Sequence, residues 1–116
     1  MNVEEIREYC IKKKAVTESF PFGGDTLVFK VVGKMFLLVA IDSNPLQFNA
    51  KCLPTKAIEL RETYSCVLPG YHMNKAHWNT ILCNGIASKK LIYSWIDYSY
   101  NLIVAGLPNK LKNELA

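Results

Sequence analysis

The chain is predicted to fold as an α+β two-layer sandwich, an antiparallel sheet with helices packed on one face and the other face open. Three observations predict it. Helical periodicity is confined to the start, a short middle stretch and the end of the chain. The β-rich segments between follow one another through tight turns, a connection open to antiparallel strands, whereas parallel strands need a long crossover. The segment Leu46 to Cys52 alternates apolar and polar residues, as a strand with one buried and one solvated face does.

The first helix is announced by Asn2 as cap, with Glu5 three residues later to complete a capping box. Val3, Ile6, Cys10 and Ile11 then recur at helical spacing, and Lys12-Lys13-Lys14 ends the segment with cations suited to a helix C-terminus. The stretch 17–25, with Pro21, Gly23 and Gly24, reads as a turn-rich link. Three strands are expected next, over 26–32, 35–41 and 46–52. Gly33-Lys34 reads as the first hairpin turn and Asp42-Ser43-Asn44-Pro45 as the second. In the third strand Leu46, Phe48, Ala50 and Cys52 face the core, while Gln47, Asn49 and Lys51 form an outward row.

Pro54-Thr55 opens a short helix. Short strands are expected over 65–68 and 77–82, with a loop over 69–76 between them and a turn at Asn84-Gly85. Ser88 caps the final helix. Its stripes Leu91, Trp95, Tyr98, Leu102 and Ile92, Ile96, Ser99, Ile103 make an apolar face broad enough to lie across a sheet. Gly106-Leu107-Pro108 stops it. The expected order is α-β-β-β-α-β-β-α, in one domain over 1–116.

Composition limits the function classes. Half of the 116 residues are apolar and 21% are charged, the mixture of a chain that buries a core. Net charge is +4, from fourteen Lys and Arg against ten Asp and Glu, and twelve of the fourteen cations are Lys. Lysine is a point charge suited to phosphate, whereas bidentate base reading favours arginine. A nucleic-acid partner would therefore be held weakly, in a salt-sensitive and sequence-tolerant way. Cys10, Cys52, Cys66 and Cys83 stand at least fourteen positions apart, so no C-x-x-C pair exists and free thiols in a reducing, cytoplasmic setting are expected. The acidic N-terminus lacks a signal-peptide pattern, and the apolar stretch 91–107 contains Asp97 and Asn101, so it reads as a core helix rather than a membrane span. A monomer is expected.

Chemistry-bearing residues concentrate in the run from Pro69 to Thr80, which gathers Tyr71, His72, Asn74, Lys75, His77, Trp78 and Asn79. Cations, amides and aromatics on one surface can grip phosphate and stack bases. Trp78 has a second reading, in which it alternates inward with Thr80 and Leu82 to anchor the core, while His77 and Asn79 hold the loop. His72 and His77 do not make a zinc site, because no Cys, Asp or Glu lies between positions 67 and 82. No nucleophile elbow, glycine-rich phosphate loop or Walker pattern occurs. No metal, cofactor or catalytic residue is expected. Lys51 joins the candidate contacts because it shares the outward row with Gln47 and Asn49.

The run Pro69-Gly70-Tyr71-His72-Met73-Asn74-Lys75-Ala76-His77-Trp78-Asn79-Thr80 resembles the hallmark of the MmcQ/YjbR family. So do Lys51-Cys52, Glu59-Leu60-Arg61-Glu62 and Ser99-Tyr100-Asn101-Leu102-Ile103-Val104 followed by Leu107-Pro108. The resemblance implies a CyaY-like fold, similar in outline to frataxin, and DNA binding of a double-wing type. It carries over onto Lys51, Pro69, Gly70, Tyr71, His72, Asn74, Lys75, His77, Trp78 and Asn79. Ala76 stands where the family often has a basic residue, which leaves one cation fewer. Iron binding is not carried over, since the first helix mixes Glu4, Glu5 and Glu8 with Arg7 and three lysines in place of an acidic ridge. The expectation is a non-enzymatic DNA-binding protein with contacts at Lys51, Tyr71, His72, Lys75, His77 and Asn79. The alternative is a module that docks another protein on the open sheet face.

Overall fold

The computed structural model describes residues 1–115. Ten elements follow in order: α1 (Val3–Ile11), β1 (Val16–Ser19), β2 (Thr26–Val31), β3 (Lys34–Ala40), β4 (Leu46–Lys51), α2 (Pro54–Thr63), β5 (Val67–Pro69), β6 (Trp78–Cys83), α3 (Lys89–Ala105) and α4 (Asn109–Leu115). The six strands form one antiparallel sheet in the order β1-β2-β3-β4-β6-β5. The α+β class and the expected order hold, with two additions.

Both additions are elements with little apolar signal. β1 overlaps the start of the expected link and is an edge strand of sequence Val-Thr-Glu-Ser, paired only with β2. Its inward Glu18 is held by Arg7 of α1, Nε to Oε1 at 2.8 Å, so a salt bridge stands where an apolar side chain would have marked the strand. α4 is polar and buries no residue; Pro108 supplies the carbonyl for the amides of Leu111 and Lys112.

The β2–β3 turn sits one residue earlier than expected. Val31 pairs with Lys34, so the two central residues are Val32 and Gly33, at φ +49° and +77°. Positive φ at both positions is the turn whose twist suits a two-residue hairpin, and Val32 adopts it against the preference of a β-branched residue.

Alternation divides the side chains between the two faces. Leu27, Phe29 and Val31 of β2, Leu37 and Val39 of β3, Phe48 and Ala50 of β4 and Ile81 of β6 join Ile6, Cys10, Ala57, Leu60, Ile92, Trp95 and Ile96 of the helices in the main core. α3 takes its buried residues from both expected stripes, as Ile92, Trp95, Ile96 and Ser99. Ser99 is fully buried and polar. Its hydroxyl donates to the Phe36 carbonyl at 2.6 Å and accepts from the Lys51 amide at 2.8 Å. It thus bridges β3 and β4 just beyond their last direct pair, Leu37 and Ala50. A separate small cluster of Val28, Leu38 and Trp78, flanked by Met35 and Met73, lies apart from this core. Among the described residues, no helix is long and apolar enough to cross a membrane.

Candidate functional site on the open face of the sheet

The strand registers lay out the face opposite the helices. One row runs Thr26, Ala40, Gln47, Leu82, and the next runs Val28, Leu38, Asn49, Thr80, Leu68. Toward the hairpin end, Lys30 pairs with Met35 and Lys51 with Trp78. Lys30 and Lys51 therefore sit on the same end of the face, two strands apart, or about 10 Å. Neither has an ion-pair partner among the described residues. At the other end, Asp25 precedes β2 and Asp42 follows the end of β3, and the Ile41 amide donates to the Asp25 carbonyl at 3.1 Å.

The loop between β5 and β6 folds over the middle of this face. Three groups close a ring of hydrogen bonds: the Tyr71 amide donates to Thr80 Oγ1 at 2.9 Å, the Thr80 hydroxyl donates to Asn49 Oδ1, and Asn49 Nδ2 donates to the Tyr71 carbonyl at 3.0 Å. Gly70 makes the close approach possible, because a Cβ there would lie 2.8 Å from both Cβ and the carbonyl oxygen of Trp78. Lys75 Nζ donates back to the Gly70 carbonyl at 3.0 Å. The Asn74 side chain accepts from the amides of Ala76 and His77.

Of the six sequence-predicted contacts, five share this region. Lys51 is half-buried on the open face beside Trp78. Tyr71 is 61% exposed, and His72 is exposed with its ring 3.9 Å from that of Tyr71 and its backbone at φ +59°. Lys75 and His77 are exposed on the loop, and the His77 carbonyl accepts from the Cys52 amide at 2.8 Å. Asn79 is the correction. It is 1% exposed and points to the helical face, where it accepts from Arg61 Nε at 2.7 Å and donates to the Ala57 carbonyl at 3.3 Å. Strand alternation from Trp78 puts it there, out of reach of anything on the open face. It shapes the loop indirectly, since Arg61 also donates to the carbonyl of Lys75. Trp78 is buried, but on the open face under the loop rather than in the main core.

Sequence reasoning missed the other half of the face. Phe22, Asp25, Met35, Leu38, Asp42 and Met73 line a groove of about 660 Å³ together with Tyr71, His72 and Asn49. The signals were present: Phe22-Gly23-Gly24-Asp25 sets an aromatic and an acid in a glycine turn, and Arg61 is one of two arginines in the chain. The thiols stand aside from this face. Burial pushes the Cys10 thiol up to about 12 and the Cys83 thiol up to about 11.

A family model described as YjbR matches residues 11–102. The chain is 31% identical over 115 residues to the uncharacterized protein YjbR of Escherichia coli strain K12, covering 99% of this chain and 98% of that protein. It is 33% identical over 107 residues to the uncharacterized protein YbdF of Escherichia coli O157:H7, covering 92% and 88%. It also matches the crystal structure of Deinococcus radiodurans protein DR2400, with a TM-score of 0.92 at 34% identity over 98% of this chain and 87% of that one. A crystal structure of a Pseudomonas syringae protein matches with a TM-score of 0.76 at 29% identity over 88% and 98%. The chain belongs to the YjbR family.

Proposed function

We propose that this protein is a small, non-enzymatic nucleic-acid-binding protein of the cytoplasm that holds a DNA backbone at the basic end of its open sheet face. The observation that carries the reading is the segregation of charge on that face, with Lys30 and Lys51 at one end and Asp25 and Asp42 at the other. Lys30, Lys51 and Lys75 would contact phosphate, and His77 would add hydrogen bonds at the loop. The exposed rings of Tyr71 and His72 offer a stacking surface for an unpaired base. Asn79 has no part in the contact. Cys10 and Cys83 are poor candidates for a nucleophile, because burial raises both thiols.

The test is binding to duplex and single-stranded DNA across a salt series. Affinity should fall with salt, and Lys30→Ala/Lys51→Ala should flatten the logarithmic slope on duplex DNA by about 0.9 for each phosphate that is no longer neutralised. Affinity too weak to measure at about 50 mM salt, or flat with salt, would overturn the reading.

A second reading, a face that docks another protein, is favoured by the exposed aromatics Phe22 and Tyr71 beside the groove. A defined partner retained by the chain after nuclease treatment, and released by Phe22→Ala, would favour it over DNA.

A further inference from the structure

The groove on the open face is chemically unlike the rest of the protein. The chain carries net charge +4, yet among the described residues the only formally charged side chains lining the groove are Asp25 and Asp42, with no Lys or Arg beside them. Its floor is apolar and adaptable, built from Met35, Leu38 and Ala40. Phe22 and Tyr71 stand at its sides with 62% and 61% of their surface open. Its volume of about 660 Å³ falls within the range of small-molecule sites.

The Tyr71 wall is fixed rather than free. Its backbone is held on both sides by the ring through Thr80 and Asn49. The next residue, His72, also lines the groove and holds the left-handed backbone conformation at φ +59°. A wall built this way keeps the Tyr71 ring available to a ligand without a large ordering cost on binding.

Charge selects the occupant. An anion, nucleic acid included, would meet two carboxylates. A neutral apolar molecule would cover the floor and leave the carboxylates without a counter-charge. A cation with an apolar body satisfies both parts, because an ammonium is attracted to carboxylates and to the π faces of Phe and Tyr. We propose that this groove binds a small organic ammonium ion with an aromatic or alkyl body, the cation toward Asp25 and Asp42 and the body over Leu38 and Met35 between Phe22 and Tyr71. The site adjoins the basic end of the face and shares Tyr71 and His72 with the stacking surface proposed there, but its preference for a cation does not depend on DNA binding.

The test is an amide-resolved NMR titration of the full chain at neutral pH with phenethylammonium, alongside 3-phenylpropionate and 2-phenylethanol as anionic and neutral counterparts. A probe of this size is expected to bind with a dissociation constant on the order of millimolar. The cation should shift the amides of Leu38, Asn49, Tyr71, His72 and Met73, with the anion at least about tenfold weaker. Asp25→Asn/Asp42→Asn should weaken the cation by a similar factor and erase the preference over the neutral probe. Both aspartates are exposed, so the variant's spectrum away from the groove should be unchanged. Tyr71→Ala should weaken the cation independently, whereas Lys30→Ala/Lys51→Ala, which removes positive charge beside the Met35 floor, should not weaken it. Equal or tighter binding of the anion, cation shifts that survive the loss of both carboxylates, or no shift at tens of millimolar would each overturn the proposal.

Discussion

On the helical face of the sheet, Phe29, Leu37, Phe48 and Ile81 are sealed by side chains from α1, α2 and α3. On the other face, Val28, Leu38 and Trp78 are covered by one loop and two methionines. The first seal is apolar area contributed by elements far apart in sequence. The second rests on a ring of three polar groups, a lysine folded back on Gly70 and an arginine reaching across from α2. The contrast marks where this molecule should open first. Loss of a few hydrogen bonds is expected to free the loop, and the helical face is expected to open only with global unfolding.

The largest effect belongs to the helical face. Phe29→Ala should destabilise the protein by about 3–5 kcal/mol, read as a lowered midpoint in denaturant, because it leaves a void against Phe36 in a fully buried core. If the loss is no larger than that of an exposed substitution, the contrast between the faces fails.

Thr80→Val tests the open face at nearly constant volume. It leaves the Tyr71 amide and Asn49 Oδ1 without their partner, at about 1–3 kcal/mol. Hydrogen exchange at Tyr71 should accelerate while the amides of β2 and β3 keep their protection. Uniform acceleration across the sheet would mean that the two faces open together.

The smallest effect concerns a polar seam on the helical side, between α1 and α3. The Tyr9 hydroxyl bonds both oxygens of Asp97, at 2.8 and 2.7 Å, and Lys13 joins the same carboxylate. Burial first, and then the bond to Asp97, push the Tyr9 hydroxyl up to about 12. A raised value means that the folded state holds this proton more tightly than the unfolded chain. The contribution is therefore complete below about pH 10, the unfolded value, and is lost as pH rises through about 12. Tyr9→Phe should remove this part of the alkaline loss, seen as a shallower stability profile than wild type over that window. Identical profiles would show that the seam does not titrate with folding.

The same contrast explains what was legible in the sequence. The helical face could be read because burial leaves periodic apolar residues: Val3, Ile6 and Cys10 marked α1, and Ile92, Trp95 and Ile96 marked α3. The capping box at Asn2 and Glu5 and the cap at Ser88 were legible from residue type and spacing, and both are formed. β1 was hidden because its inward position is Glu18, satisfied by Arg7 instead of by packing. The hairpin turn was misplaced by one residue because Val32 adopts a conformation its side chain disfavours. Of the candidate site, the alternation of β4 put Lys51 and Asn49 on the open face. The same period, applied to β6 from Trp78, separates Asn79 from the exposed set. The groove was out of reach because its walls come from the 20–25 and 69–77 segments, and only strand register brings these together.

Ser99 has a mechanical consequence. Its hydroxyl joins the carbonyl of Phe36 and the amide of Lys51 to the middle of the longest helix, at sequence separations of 63 and 48 residues. A load applied at Lys51 therefore does not end in a strand terminus that can peel away. It passes through one buried oxygen into α3 and is shared with the whole main core. The basic end of the open face is thus anchored from behind through α3, whereas the loop at Tyr71 is held from the side by Asn49 and Thr80 and through Arg61 of α2.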